Sequence, residues 1–273
     1  SKIFNFQFGH GKNFIGSGYR SMILSDYAFN YPYFKITTNV WKLQYVNLFC
    51  SFLDLNTRAT YQGGYRKKYA TFHYLTFFSK KHLELSVFEG VIWQREDSTG
   101  VRGFDWNYLN PVIFYHPVQY SLGSPDNSIL GLDIGINLFR SIKFFGQFVL
   151  DDLDVERMKE GDGFILTKYG FQSGLKWHDL FRIKNLYLHS EYNYSRPYVY
   201  AHKEPLQNYS HYYAPLAHPL GANFKESVNI LNYRAGDFLL EFRYNHIVYG
   251  ADTANSHWGQ NIFRTDYDAQ RGF

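Results

Sequence analysis

The chain is poor in several residues that mark particular protein classes. Among 273 residues it has one cysteine, Cys50, so an intrachain disulfide is excluded. Cys50 lies in an apolar, strand-like run, where a buried bystander thiol is the expected role. Methionine and proline are also scarce, with 2 and 8 residues. No run of about 18 apolar residues occurs, which argues against a transmembrane helix, as does a mean hydropathy of −0.37.

The chain also has only a small excess of charge of one sign. The chain has 28 Lys and Arg against 24 Asp and Glu, a formal net charge of +4. The cations are scattered, with only short doublets such as Lys67–Lys68 and Lys80–Lys81. This scatter is not the basic stripe of a nucleic-acid-binding protein, so we expect no nucleic-acid partner. The apolar fraction of 45% excludes a disordered chain.

What the chain has in excess is aromatic residues in an alternating pattern. Phe, Tyr and Trp make up 21% of it, with 26 Phe and 25 Tyr. Leu132, Ile134 and Ile136 alternate with Asp133 and Gly135, which predicts a strand with one apolar and one polar face. Helical periodicity is not sustained anywhere.

About twelve segments show this period of two. Many are about 9–12 residues long, which exceeds the usual strand length of about 5–6 and matches a strand tilted across a bilayer. The predicted strands are Ile3–Phe8, Phe34–Trp41, Leu43–Asp54, Tyr69–Phe78, Leu83–Trp93, Pro111–Tyr120, Leu130–Leu138, Ile142–Leu150, Ile165–Trp177, Leu186–Tyr194, Phe224–Arg234 and Phe238–Val248.

Short turns alternate with long loops between these strands. The long loops cover residues 9–33, 94–110, 151–164 and 196–222. Short turns at one end and long loops at the other are typical of outer-membrane barrels, in which aromatic girdles mark both interfaces. We therefore predict one all-β domain over residues 1–273, a transmembrane antiparallel β-barrel. The alternative is a soluble sandwich whose apolar face is its core.

Three loops carry candidate site residues. The first is the glycine-rich segment 8–34, whose spacing does not fit a phosphate-binding loop. It has two interpretations: an inward-folded loop that plugs or lines the barrel, or a set of donors to a glycan or anion. The candidate donors are His10, Lys12, Asn13, Tyr19 and Arg20.

The second segment, 102–117, mixes aromatic and polar residues. Asp105, Trp106 and Asn107 suit a sugar, because aromatic faces stack on C–H surfaces while Asp and Asn bond hydroxyl groups. The alternative is an ordinary tight corner of the barrel, with Asn110-Pro111 ending a loop.

The third segment, 196–226, carries three histidines and five tyrosines. The spacings of His202, His211 and His218 match no compact zinc pattern, so we predict no metal site. Tyr198 and Tyr200 are the first two of these tyrosines, and we predict that they form part of an adhesive aromatic surface that binds glycan. The acidic cluster 151–156 is expected to be a solvated turn. No enzymatic signature stands out, so we expect neither a catalytic residue nor a cofactor.

Several short stretches resemble the Wzi family of capsule-assembly proteins. Gly16–Ser25 is similar to a Gly-Pro-Gly…Ser-Leu-Ile-Leu-Ser stretch of that family, although Ser17 replaces the proline. Phe145–Asp152 and Gly170–Lys176 resemble two of its strands. Arg102–Asp105 with the run to Tyr115, and Leu216–Asn223, are closer to the family's Bacteroidota branch, which includes gliding-motility proteins.

The resemblance implies an outer-membrane barrel of about eighteen strands when complete. It implies a non-catalytic lectin that binds surface polysaccharide in the bacterial outer membrane, but it transfers no list of site residues. The chain is shorter than family members, so we expect missing terminal strands. Two alternatives stay open: a porin-like channel, and a subunit of a gliding-motility or secretion complex with other outer-membrane proteins.

Overall fold

A computed structural model gives the fold of the chain. It describes residues 3–58, 64–79, 82–97, 100–113, 126–151, 168–252 and 256–266. Eleven strands form one antiparallel sheet in which each strand pairs with the next along the chain. They are β1 Phe4–Gly11, β2 Tyr31–Val40, β3 Leu43–Arg58, β4 Tyr65–Ser79, β5 Leu83–Gln94, β6 Asn127–Leu138, β7 Ile142–Asp151, β8 Lys168–His178, β9 Leu186–Ser195, β10 Phe224–Ala235 and β11 Phe238–Tyr249.

The all-β prediction is confirmed, and eleven of the predicted strands match strands of this sheet. The twelfth, predicted at 111–120, is not seen: residues 111–113 are not in a strand and the rest lie outside the described residues. The predicted loop 151–164 also lies outside them, apart from Asp151. In the described part of the chain, β1 and β11 are the two edges of the sheet and do not pair with each other.

In the connections that the structure describes lie two further ribbons and three short 3₁₀ helices. The ribbons pair Glu96–Asp97 with Gly100–Val101 and Ser210–His211 with Ala214–Pro215. The helices are Trp106–Leu109, Leu180–Arg182 and Pro205–Gln207. No described helix is both long enough and apolar enough to span a membrane.

The strands are joined tightly at one end of the sheet. Trp41–Lys42 joins β2 to β3, and Gly236–Asp237 joins β10 to β11. Phe139 and Arg140, between β6 and β7, have φ of 50° and 60°, the left-handed backbone that suits a hairpin turn to the twist of its strands. We call this end of the strands the short-turn end. The opposite end, where residues 12–30 and 196–223 leave the strands, is the long-loop end.

Burial on the two faces of β6 and β7 is inverted relative to a soluble protein. On β6, Leu132 is 51% exposed while its neighbour Asp133 is 6% exposed. On β7, Phe148 is 39% exposed while its neighbour Gln147 is 3% exposed. We call the face with the exposed apolar side chains the outer face, and the opposite one the inner face. A soluble sheet would expose its polar face, so this arrangement favours an apolar surrounding for the outer face.

The inner face carries a row of polar side chains at one height. Cross-strand pairing places five of them side by side on consecutive strands from β6 to β10, and we call these the polar row: Asp133, Gln147, Gln172, Asn193 and Glu226. Gln147 Nε2 donates to Asp133 Oδ2 at 3.0 Å, and Gln172 Nε2 donates to Asn193 Oδ1 at 2.8 Å. Asn193 Nδ2 donates to Glu226 Oε2 at 3.2 Å, so the row is bonded in two groups, Asp133 with Gln147 and Gln172 with Asn193 and Glu226.

The hydrophobic core lies between the inner face and two loops. Met22, Ile23 and Leu24 of the 12–30 loop are buried together with Tyr200 and Tyr209 of the 196–223 loop. Cys50 of β3 is buried in the same cluster, as predicted for a bystander thiol. Two loops of low regularity thus supply the core that a second sheet would supply in a sandwich.

Candidate functional site

The 12–30 loop folds back onto the inner face and is held by the polar row. Gln147 accepts from Met22 N at 2.8 Å and donates to Ile15 O at 3.1 Å. Gln172 donates to Arg20 O at 2.9 Å. Each side chain satisfies backbone groups that the loop cannot pair internally. The structure therefore has the inward-folded loop of the first interpretation.

Glu191 of β9 holds the same loop through its carboxylate. It accepts from Tyr19 N at 2.7 Å and from Arg20 N at 3.0 Å, one backbone group at each oxygen. Asn193 and His189 also bond this carboxylate. Charge-assisted bonds of this kind are stronger than neutral ones, so Glu191 fixes the direction of Tyr19 and Arg20.

Glycine is required where the loop meets the row. Gly16 has φ of 131°, and a Cβ there would collide with the amide of Gln147. A Cβ at Gly18 would meet Gln172 and the carbonyl of Arg20. Gly16 and Gly18 thus allow the loop to approach the inner face closely.

The 196–223 loop covers the 12–30 loop. Tyr200 and Tyr209 donate their hydroxyls to Met22 O at 2.6 Å and Ile23 O at 2.8 Å. Ser25 bonds Leu216 and Ala217. The two loops therefore form one packed unit on the inner face.

Two histidines of the covering loop are buried and engaged. His211 accepts from Leu53 N through Nδ1 at 3.0 Å and lies 3.2 Å from Asn30 O through Nε2, which binds the loop to β3 and to the 12–30 loop. Burial lowers the pKa of His211 to about 4. His218 bonds Glu226 at 2.7 Å, and burial also lowers its pKa. No group of three or more metal-ligating side chains occurs among the described residues.

A pocket of about 230 Å³ opens where the two loops meet. Its lining is cationic and aromatic, with one carboxylate: Lys12, Tyr19, Arg20, Ser25, Asp26, Tyr27 and Pro219. We call it the loop pocket. It contains three of the predicted candidates, while Asp26 and Tyr27 were missed because no pattern distinguishes them from ordinary loop residues.

Arginines flank the Tyr19 ring in the loop pocket. The guanidinium carbons of Arg20 and Arg243 lie 5.0 and 4.9 Å from the ring centroid. Arg243 of β11 also donates to the Tyr19 hydroxyl at 2.8 Å, and Arg20 bonds Glu226 at 3.4 Å. Cation–π contacts of this kind hold a partly exposed ring in a fixed orientation. Lys12 is exposed, and its ammonium donates to Asp26 O at 2.8 Å.

The other two candidates of the first segment lie elsewhere. His10 is exposed on β1. Asn13 is buried, accepts from Lys35 at 3.2 Å, and lines a second cavity of about 400 Å³ with Asp133 and Glu84 on the inner face. The structure thus separates these two from the loop pocket.

The second segment does not approach the loop pocket. Asp105 accepts from Arg102 at 2.6 Å and from Asn107 N at 3.0 Å, which begins the Trp106–Leu109 helix. Partial burial acts to raise the pKa of Asp105, but the bonds from Arg102 and Asn107 outweigh it and lower the pKa. Trp106 is 76% exposed.

The third segment differs from its prediction. Tyr198 and Tyr200 are buried, with their hydroxyls bonded to His257 O and Met22 O. They have no free ring face for a sugar, because packing between the loops and the sheet takes both faces. The exposed aromatic surface of this loop is reduced to Tyr212 and Tyr213. Tyr213 stacks on Phe263 at 4.1 Å, at the edge of a cavity of about 320 Å³.

Comparisons with known proteins identify a fold and no family. No protein-family model matches the chain, and no curated protein matches it. Among solved structures, the chain is similar to Wzi from Escherichia coli, described as an outer membrane protein involved in group 1 capsule assembly and as a carbohydrate-binding β-barrel. Identity is 17% and the TM-score is 0.64, over 91% of this chain and 54% of that one. The chain thus spans about half the length of that structure and shares its all-β fold.

Proposed function

We propose that the protein is an outer-membrane β-barrel that binds surface polysaccharide without catalysing a reaction. The observation that carries this proposal is the inverted sheet: its apolar side chains face outward and its polar row faces two packed loops. Lipid is the surrounding that stabilises such an outer face. The fold likeness to a carbohydrate-binding barrel supports the same conclusion.

The loop pocket supplies the binding groups. Tyr27 is 52% exposed and offers a ring face, and Tyr19 is 38% exposed with Arg20 and Arg243 over its ring. Lys12 offers an exposed ammonium. Aromatic faces beside a few convergent polar groups are typical of ligand sites. A saccharide with hydroxyl and carboxylate oxygens matches these donors.

The absence of catalysis is part of the proposal. The two buried carboxylates nearest the pocket, Glu191 and Glu226, are both engaged: Glu191 bonds loop backbone, and Glu226 bonds His218, Arg20 and Asn193. A general acid or base needs a proton that it can exchange with substrate. These carboxylates instead hold the loop in place.

Polysaccharide binding tests the proposal. We expect Lys12→Gln and Tyr19→Ala each to weaken binding of an acidic surface polysaccharide by about tenfold, because each removes a contact of about 1.4 kcal/mol. Lys184→Gln removes an exposed cation at the short-turn end and is the matched control. Affinity is measured by isothermal calorimetry with detergent-solubilised protein. Unchanged affinity in both pocket variants would contradict the pocket assignment, and a wild-type protein that binds no polysaccharide would contradict the function.

A further inference from the structure

The segment 100–113 packs on the outer face of the sheet. The ring centroids of Tyr108 and Trp93 are 4.5 Å apart, and Phe104 lies 5.5 Å from Trp93 and 5.6 Å from Tyr69. Tyr69 of β4 and Trp93 of β5 are cross-strand partners on the outer face, toward the long-loop end. The segment therefore lies against the outer wall and away from the loop pocket.

Polar contacts hold the segment there. Arg102 bonds Asp126 at 2.8 Å and Asp105 at 2.6 Å. The Tyr108 hydroxyl donates to Asp126 at 2.6 Å. The backbone of Arg102 also donates to Arg95 O at 2.8 Å. With its polar groups paired inward, the segment presents its remaining side chains outward.

Those outward side chains are mostly apolar, although Asn107 and Asn110 are exposed among them. Trp106 is 76% exposed, Val112 65%, Val101 52% and Leu109 39%. They form an exposed apolar surface at the long-loop end, next to a part of β4 and β5 whose outward side chains, Thr71, His73 and Glu89, are buried. A tryptophan with a wet ring nitrogen and an apolar ring body is the side chain that prefers the boundary between lipid and water.

Two cations complete the surface. Lys67 lies on the outer face of β4, two residues before Tyr69, and Arg95 directly follows β5 and donates its N–H to Lys67 O at 3.0 Å. Neither side chain forms an ion pair within the described ranges. Basic side chains at the edge of an apolar wall attract the anionic groups of lipids.

We propose that residues 100–113, with Lys67 and Arg95, form a lipid-interface anchor. Trp106 lies in the interfacial layer of the leaflet at the long-loop end, and the two cations bind the phosphate groups of that leaflet's lipids. The occupant is a phosphate-bearing lipid, because the segment exposes apolar side chains on the outer face and the cations complement a phosphate. This inference rests on the proposed membrane placement, and it assigns Trp106 to lipid and not to polysaccharide.

The short-turn end supplies an internal control. Trp41 lies in the β2–β3 turn and is 81% exposed, and Phe139 and Phe181 at the same end are 86% and 72% exposed. If the strands cross a bilayer, this end lies at the opposite interface. Trp41 therefore reports membrane placement independently of residues 100–113.

Tryptophan quenching in lipid nanodiscs tests the anchor. Wild type, Trp106→Phe and Trp41→Phe are measured in discs whose lipids carry bromine either near the headgroup or deep on the acyl chains. The emission of each tryptophan is the wild-type spectrum minus the spectrum of the variant that lacks that tryptophan. We expect both tryptophans to lose most emission to shallow bromines and little to deep ones. Quenching of Trp41 without quenching of Trp106 would overturn the anchor alone. Quenching of neither would overturn the proposed membrane placement as well.

A second arm tests the lipid phosphates. We expect Lys67→Gln and Arg95→Gln each to weaken retention of a bis-phosphorylated glycolipid by about fivefold, as measured by native mass spectrometry. Lys184→Gln is the control for loss of one cation. Equal retention in all variants would overturn the role of these cations. Polysaccharide affinity reduced by Trp106→Ala to the extent seen for Tyr19→Ala would overturn the assignment of Trp106 to lipid.

Discussion

At the scale of single residues, the inner face is organised by side chains that bond distant backbone. Gln147, Gln172 and Glu191 each hold part of the 12–30 loop. Alternation predicts that polar residues such as Asp133 share one face of their strand. It cannot predict their partners, because Glu191 and Tyr19 are 172 residues apart. The burial of Tyr198 and Tyr200 was missed for the same reason.

Glu191 yields a stability prediction. Glu191→Ala leaves the backbone N–H groups of Tyr19 and Arg20 without their acceptor, and we expect a loss of about 3 kcal/mol in the free energy of unfolding. The measurement is urea unfolding in detergent micelles. Glu241→Ala is the control, since Glu241 is 43% exposed and bonds Arg243. We expect it to cost less than about 1 kcal/mol. Equal losses in both variants would show that Glu191 does not hold the loop.

At the scale of elements, strands were far more predictable than loops. The period of two located Leu83–Gln94 and Phe238–Tyr249 within one residue at each end. The start of β6 was missed by three residues, because Asn127 and Ser128 are buried polar residues outside the alternating run. The docking of 100–113 on the outer wall follows from ring contacts between residues that no period relates.

Loop packing yields a pH prediction. The folded pKa of His211 is about 4, below the value of about 6.5 in an unfolded chain. Between these values the unfolded state takes up a proton that the folded state does not, so stability is full above about pH 6.5 and falls as the pH drops toward 4. The loss is up to about 3 kcal/mol.

The comparison that isolates this effect is wild type against His211→Gln. Unfolding free energies at pH 7, 5.5 and 4 should show a smaller decrease for the variant, because glutamine does not titrate. The burial of His218 shifts its pKa in the same direction and leaves a residual decrease in both proteins. Parallel pH profiles would contradict the prediction.

At the scale of the whole molecule, the sequence left two architectures open, a membrane barrel and a soluble sandwich. The exposed apolar side chains of the single sheet favour the barrel. A sandwich buries the apolar faces of two sheets against each other, whereas Leu132, Phe144 and Phe242 here are exposed on a single sheet. The composition follows from this arrangement. Many of the aromatic residues lie on the outer face or at its two ends, so a high aromatic content serves the surface as well as the core.

Gel migration tests the whole-molecule architecture. In detergent, the full-length protein should migrate differently before and after boiling, because a barrel whose backbone bonds are all within the sheet resists the detergent until heated. Identical migration of a protein that is otherwise folded by circular dichroism would favour the soluble sandwich.

The large sequence separation of the loop contacts also implies an order in which parts of the chain fold. Adjacent strands pair through short connections, so hairpins can close soon after both strands exist. The bonds from the 12–30 loop to Gln147 and Glu191 instead join residues 125 to 172 positions apart. A segment near the start of the chain must therefore wait for β7 and β9 before it reaches its native place. Until then the inner face of the nascent sheet is exposed. Docking of the 12–30 loop on this face is therefore a late step of folding.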